Sequence, residues 1–162
     1  MPHKIKAAFM GEGGLLPTVI GAVLDKEVLP KENVLVARTD EECCAAFGDR
    51  GVTLLPDEMN AVVKAEIVVV CADKRSELGT ALAPVMGCTR GRIVIAICKK
   101  VDVAYVAERV VKGTEILAAP VEQAEDGSYH TVMEFSKDFL PFQVEPCRDI
   151  LASFCVMDDF TS

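Results

Sequence analysis

Histidine is almost missing from this chain. His3 and His130 are the only two, and the cysteines at 43, 44, 71, 88, 98, 147 and 155 form no CxxC pair. Nothing therefore has the compact ligand spacing of a structural zinc site, and no metal is expected. Basic residues are also in deficit: 17 Lys and Arg stand against 25 Asp and Glu, a formal charge of −8. That argues against general binding to nucleic acid or to acidic membrane surfaces, both of which reward basic patches. No apolar run approaches the roughly 20 residues of a membrane span. Met1-Pro2-His3-Lys4 leads straight into a strand with no signal-like apolar stretch, so a cytoplasmic protein is expected. Repeats and low-complexity linkers are absent.

What remains is a chain of 162 residues, 51% of them hydrophobic. This is enough for one domain with a real core and too little for two ordinary ones, so residues 1–162 are read as one unit. The apolar excess permits an oligomer face. Cys71 and Cys98 lie in strand-like apolar runs and read as structural thiols; Cys147 is the one to check for reactivity.

Apolar runs alternate with helical patterns. Strands are expected at Ile5–Met10, Asn33–Ala37, Val52–Leu55, Glu66–Ala72, Arg92–Cys98 and Glu115–Ala119, the last ending at Pro120. Helices are expected over Leu15–Val28, from the cap Asp40 through Phe47, and over Asp57–Ala65, Arg75–Met86 and Asp102–Val111. Six strands separated by five helices predict an α/β fold of Rossmann-like, doubly wound type, with a mostly parallel sheet and helices on both faces. Right-handed crossovers place the turn after the first strand at the carboxyl edge, beside the point where strand order reverses. Beyond Pro120 the pattern changes: a turn at Ala124–Ser128, strand-like alternation over Tyr129–Ser136, a helix over Val144–Ser153 and a last strand over Phe154–Asp158.

The turn Gly11-Glu12-Gly13-Gly14-Leu15 joins the first strand to the first helix. One reading is an ordinary strand–helix turn. The other is a seat for a dinucleotide pyrophosphate, in which Gly11 permits the tight turn and Gly13 lets a phosphate approach the backbone. Leu16 stands where a small residue usually lets helix pack on strand. Glu12 opposes an anion: a carboxylate about 6 Å from a phosphate charge costs roughly 0.7 kcal/mol in water-like surroundings and about 3 kcal/mol at an effective dielectric of 20.

After the second strand comes Val36-Ala37-Arg38-Thr39-Asp40. An NAD site usually has an acidic residue there. Arg38 instead suits a 2′-phosphate, with Thr39 adding a hydroxyl, and the bland reading is a solvated surface arginine. Lys99-Lys100 lies at the end of a strand, near where an anion would sit or simply in a solvated loop. Tyr105, Tyr129 and His130 are the remaining proton donors, and nothing in the sequence fixes their geometry.

Across these segments the chain resembles the amino-terminal domain of pyrroline-5-carboxylate reductase, within the wider group that includes coenzyme F420-dependent NADP oxidoreductases. The similar stretches are Ile5–Gly14, Val36–Thr39, Ile67–Lys74, Ile93–Cys98, Leu117–Pro120 and Glu145–Asp158. The resemblance implies NADP as cofactor. Gly11, Glu12, Gly13, Gly14 and Leu15 would lie at the pyrophosphate, Arg38 and Thr39 at the 2′-phosphate, and Ala72, Lys74 and Pro120 at the inner ribose and nicotinamide. It further implies hydride transfer to a small imine or carbonyl compound.

The departures are specific. The family's Asn-Met-Ala is Gly14-Leu15-Leu16, its Val-Lys-Pro is Ala72-Asp73-Lys74, its Ala-Ala-Gly is Cys98-Lys99-Lys100, and its Pro-Asn-Thr-Pro keeps only Pro120. The family's carboxy-terminal helical domain, which forms its dimer and much of its substrate pocket, has no counterpart in these residues. A rival reading is therefore a non-catalytic dinucleotide sensor or scaffold. In a third, a second copy of the chain, as a homodimer, or another polypeptide completes the pocket.

Overall fold

The computed structural model describes residues 3–137, 139 and 143–158. Met1, Pro2 and residues 159–162 of the sequence reading lie outside them. Six strands occur where the apolar runs fall: β1 Ala7–Gly11, β2 Val34–Ala37, β3 Thr53–Leu55, β4 Ile67–Cys71, β5 Ile93–Cys98 and β6 Glu115–Gln123. Five helices connect them: α1 Leu15–Asp25, α2 Glu41–Phe47, α3 Glu58–Val63, α4 Arg75–Leu82 and α5 Val103–Ala107. The six strands pair in the order β3-β2-β1-β4-β5-β6, all parallel, which is the doubly wound arrangement.

Every residue of β4 and β5 is buried, as expected for strands covered on both sides. Alternation along each strand divides the core in two. Phe9, Val69, Ile95 and Ile97 pack with α1, α2 and the last helix, whereas Met10, Val68, Val70 and Ala96 pack with α3, α4 and α5. Three helices thus lie on each face.

Aspartates start three of these helices by accepting a backbone N–H: Asp40 from Cys43 (3.1 Å), Asp57 from Asn60 (2.9 Å) and Asp102 from Tyr105 (2.8 Å). Some ends come earlier than the periodicity predicts. α4 stops at Leu82 and tightens into a single 3₁₀ turn at Ala83–Val85, because Pro84 has no N–H to continue the α-helical ladder. α5 stops at Ala107, and the Arg109 guanidinium takes the Tyr105 carbonyl (2.9 Å).

The largest departure is at β6, which runs through Pro120 to Gln123 instead of ending there. Its first part pairs with β5 as far as Pro120 opposite Cys98; beyond that it pairs only with β7 Tyr129–Thr131, antiparallel. Gly127, in the left-handed region (φ 89°), and the Asp126 carboxylate, which accepts Ser128 N–H (2.9 Å), close this hairpin. The strand expected over Tyr129–Ser136 is two pieces, β7 and β8 Glu134–Phe135, both in one register with β6. The interruption at Val132 and Met133 faces Ala119 and Pro120, where the proline cannot donate. α6 Val144–Ala152 then leads into β9 Cys155–Met157, parallel to β7.

All seven cysteines are free thiols, and five are buried. Burial, reinforced by Glu115, pushes the Cys147 thiol up to about 12, so the residue singled out for reactivity is inert by position. Burial likewise raises Cys98 to about 11 and Cys155 to about 11. Alkylation of the native protein followed by peptide mass mapping is expected to label the half-buried Cys44 and Cys88 first. Cys43, Cys71, Cys98, Cys147 and Cys155 should react only after denaturation; fast native labelling of Cys147 would contradict this packing.

Candidate functional site

A parallel sheet sends the carboxyl ends of β1, β2, β4, β5 and β6 to one edge. β1 lies between β2 and β4, where the chain first winds one way and then the other. This is the crevice in which doubly wound sheets take ligands. The glycine turn occupies it.

Gly11 has φ 135°, and a Cβ there would overlap the Cys71 carbonyl oxygen, which also accepts the Glu12 N–H (3.1 Å). The glycine is needed both for its backbone angle and for the close approach of β1 to β4. Gly13 has φ 87°, and its missing side chain leaves room for the Asp73 carboxylate. Gly14 precedes α1 with nothing within 4 Å of where its Cβ would be.

Unlike α2, α3 and α5, α1 has no side-chain cap, and its first turn carries no acidic residue. Its first N–H groups, on Leu15 and Leu16, have no intrahelical acceptor, and Pro17 has no N–H. An eleven-residue helix also directs the positive end of its dipole at this turn. Leu16 is accommodated without a small residue: it is buried in the core with Phe9 and Val19.

Two carboxylates act on the turn. Glu12 is exposed to solvent. Asp73, which the motif pattern did not single out, is the carboxylate next to Gly13. At the end of β2, Arg38 is exposed and its guanidinium makes no hydrogen bond or ion pair among the described residues, while its backbone N–H donates to the Leu55 carbonyl (2.7 Å). The Thr39 hydroxyl is already committed, donating to Glu58 Oε1 (2.6 Å). The Arg38–Thr39 corner therefore carries a carboxylate that the local sequence does not reveal.

From the turn a groove runs along the carboxyl edge. A cavity of about 140 Å³ is lined by Leu15, Ala72, Asp73, Lys99, Val121, Gln123 and Tyr129. A larger one of about 600 Å³ shares Lys99, Val121 and Gln123 and adds Lys100, Pro120, Glu122, His130, Thr131, Val132 and Asp158. Lys100 is one of two non-glycine residues in the left-handed region among the described residues (φ 59°). Ala72 and Pro120 thus border the groove. Lys74, exposed at the start of α4, lines neither cavity.

The three proton-donor candidates separate. Tyr105 lies elsewhere: its hydroxyl donates to the Arg75 carbonyl (2.5 Å), and the Arg109 guanidinium covers its ring at 3.6 Å. Tyr129 faces the smaller cavity, its hydroxyl without a partner among the described residues and its ring 6.0 Å from that of Phe154. His130 faces the larger one, between Ser128 Oγ (3.1 Å) and Asp158 Oδ1 (3.4 Å). This order imitates a Ser-His-Asp relay. The Ser128 hydroxyl, however, donates to Asp126 (2.6 Å), so the imidazole meets its lone pair and not its proton. The sequence signal for this grouping was Asp126-Gly127, a hairpin turn that sets Tyr129 and His130 opposite Gln123 and Glu122.

No protein-family profile and no curated relative matches the sequence. Solved structures do. The Plasmodium falciparum pyrroline carboxylate reductase with NADP bound superposes with a TM-score of 0.79 at 16% identity, over 99% of this chain and 59% of its own. A Coxiella burnetii pyrroline-5-carboxylate reductase gives 0.82 at 14% identity, over 99% and 60%. A Myxococcus stipitatus imine reductase in complex with NADP⁺ gives 0.68 at 15%, over 94% and 54%. The resemblance seen in the sequence is therefore present in three dimensions as a shared Rossmann-like fold. The chain spans about three-fifths of the length of these pyrroline carboxylate reductases.

The two glycines at the ends of the turn should behave oppositely. Gly11→Ala combines a forbidden backbone angle with overlap on the Cys71 carbonyl, and should lower the unfolding free energy by more than about 2 kcal/mol. Gly14→Ala, in open space with a right-handed helical backbone, should be neutral or stabilise by up to about 1 kcal/mol. Urea denaturation midpoints of the two variants measure the difference.

Proposed function

We propose that this chain is an NADP(H)-binding, reductase-like domain whose groove presents a nicotinamide to a small imine or carbonyl compound. The observation that carries the proposal is the glycine turn at the switch point, facing an α1 start that no side chain caps. The fit is good in shape: Gly11 brings β1 against β4, and the space over Gly14 is open. The backbone around Gly13, Gly14, Leu15 and Leu16 would hold the pyrophosphate, and Arg38 the 2′-phosphate, with Thr39 beside it. Ala72 and Pro120 would border the ribose and nicotinamide, with Lys74 at the rim. A bound nicotinamide supplies the hydride; the protein binds and orients. Tyr129 and His130 are the groups of this chain placed at that edge to hold a proton.

The carboxylates of Asp73, Glu12 and Glu58 oppose an anionic ligand under any reading, whereas the motif departures at Ala72-Asp73-Lys74, Cys98-Lys99-Lys100 and after Pro120 favour a second reading, a dinucleotide-binding module without catalysis. Under either reading the protein works in a cytoplasm and binds no nucleic acid; in a third reading a second copy of the chain, as a homodimer, or another polypeptide completes the substrate pocket.

Fluorescence titration with NADPH and NADH tests this. NADPH should bind more tightly, and Arg38→Ala should remove that preference, weakening NADPH by roughly 10- to 100-fold for about 1.5–3 kcal/mol of charge-assisted bonding while leaving NADH unchanged. Asp73→Asn should tighten both nucleotides several-fold, because it removes a like charge worth about 0.7 kcal/mol or more at roughly 6 Å. Absence of binding by either nucleotide at millimolar concentration would sink both readings. Binding with no NADPH oxidation across a panel of cyclic imines would leave the module.

A further inference from the structure

A second cluster of chemistry lies at the other end of β1 from the glycine turn. His3, in the segment before β1, is anchored by its backbone N–H on the Val28 carbonyl (2.9 Å), just beyond α1. There its ring meets α6. His3 Nε2 is 2.7 Å from Asp149 Oδ2, and Glu145 stands one helical turn earlier on the same face as Asp149. One donor atom from each of His3, Glu145 and Asp149 lies within 4.8 Å of the other two.

An imidazole nitrogen and two carboxylate oxygens from two separate elements are a borderline-hard donor set. Zinc takes such ligands at about 2.0–2.2 Å, which puts donors of a tetrahedral site about 3.4 Å apart. The observed spacing needs only small side-chain rotations: the His3–Asp149 contact opens slightly while the exposed Glu145 closes in. Two carboxylates at positions i and i+4 repel each other, and a cation between them removes that cost. Asp149 pairs only with His3, and Glu145 has no partner among the described residues. The cluster opens on a cavity of about 420 Å³, also lined by Glu27 and by Lys26, neither of which makes an ion pair among the described residues. Lys26 opposes the cation and Glu27 favours it, so the local charge remains negative.

We infer that His3, Glu145 and Asp149 form a site for a divalent transition-metal ion of zinc type, tying the segment before β1 to α6 and leaving a fourth position for water. Sequence spacing could not show it, because His3 and Asp149 are 146 residues apart. The site is independent of nucleotide binding.

Tag-free protein titrated with Zn²⁺ by calorimetry should take up one ion, and Zn²⁺ should raise its melting temperature. Co²⁺ should bind with a visible spectrum that lacks a thiolate charge-transfer band, which separates this site from Cys44 and Cys88. His3→Ala and Asp149→Asn should each weaken binding at least tenfold and abolish the thermal shift. Glu145→Gln, at an exposed position without contacts, provides a variant that keeps the fold and should also weaken binding. No uptake at millimolar Zn²⁺, a thiolate band with Co²⁺, or affinity unchanged in the His3 and Glu145 variants would each overturn the assignment.

Discussion

The contact on which the site depends is the approach of the Gly11 α-carbon to the carbonyl of Cys71. Parallel pairing carries β1 alongside β4 to its last residue, Gly11 opposite Cys71, and only then does the chain turn away. Any side chain at that position would push the two strands apart where the crevice opens. The position of α1, and hence the direction of its unpaired N–H groups, follows from this one backbone-to-backbone contact. The helix is then held from below by Leu15, Leu16, Val19 and Ile20 in the core.

The architecture was largely legible in the sequence, and for a clear reason. Ile67–Cys71 and Ile93–Cys98 are unbroken apolar runs that suit a strand covered on both faces, and Asp40, Asp57 and Asp102 mark helix starts by a local hydrogen bond. What escaped depends on groups distant along the chain. Asp73 reaches Gly13 only because β4 follows β1 in space, and Glu58 reaches Thr39 only because α3 packs beside β2. Pro120 read as a stop because proline usually ends strands. Here the strand continues, because the partner strand is interrupted opposite the missing N–H and pairing resumes at Val121 opposite Thr131.

Electrostatics gives the groove a divided character. Backbone dipoles at α1 and the cations Arg38, Lys99 and Lys100, which make no ion pair among the described residues, favour an anion, while Asp73, Glu12 and Glu58 oppose one. The whole chain carries a formal charge of −8, so distant steering also repels anions. Recognition must therefore come from short-range geometry, and salt, which screens the long-range repulsion, should help an anionic ligand more than hinder it.

The antiparallel strand that folds back on β6 has a further consequence. Its two pieces share one register, interrupted opposite Ala119 and Pro120. Because side chains alternate between faces, a slip of one residue would exchange the sides on which Tyr129 and His130 emerge and would carry Thr131 out of its buried position. The hairpin turn at Asp126-Gly127 and the interruption facing Pro120 both resist such a slip. A proline that looks like the remnant of a motif thus acts as a marker of alignment, and the chemistry of the groove's far wall is set by where one N–H is absent.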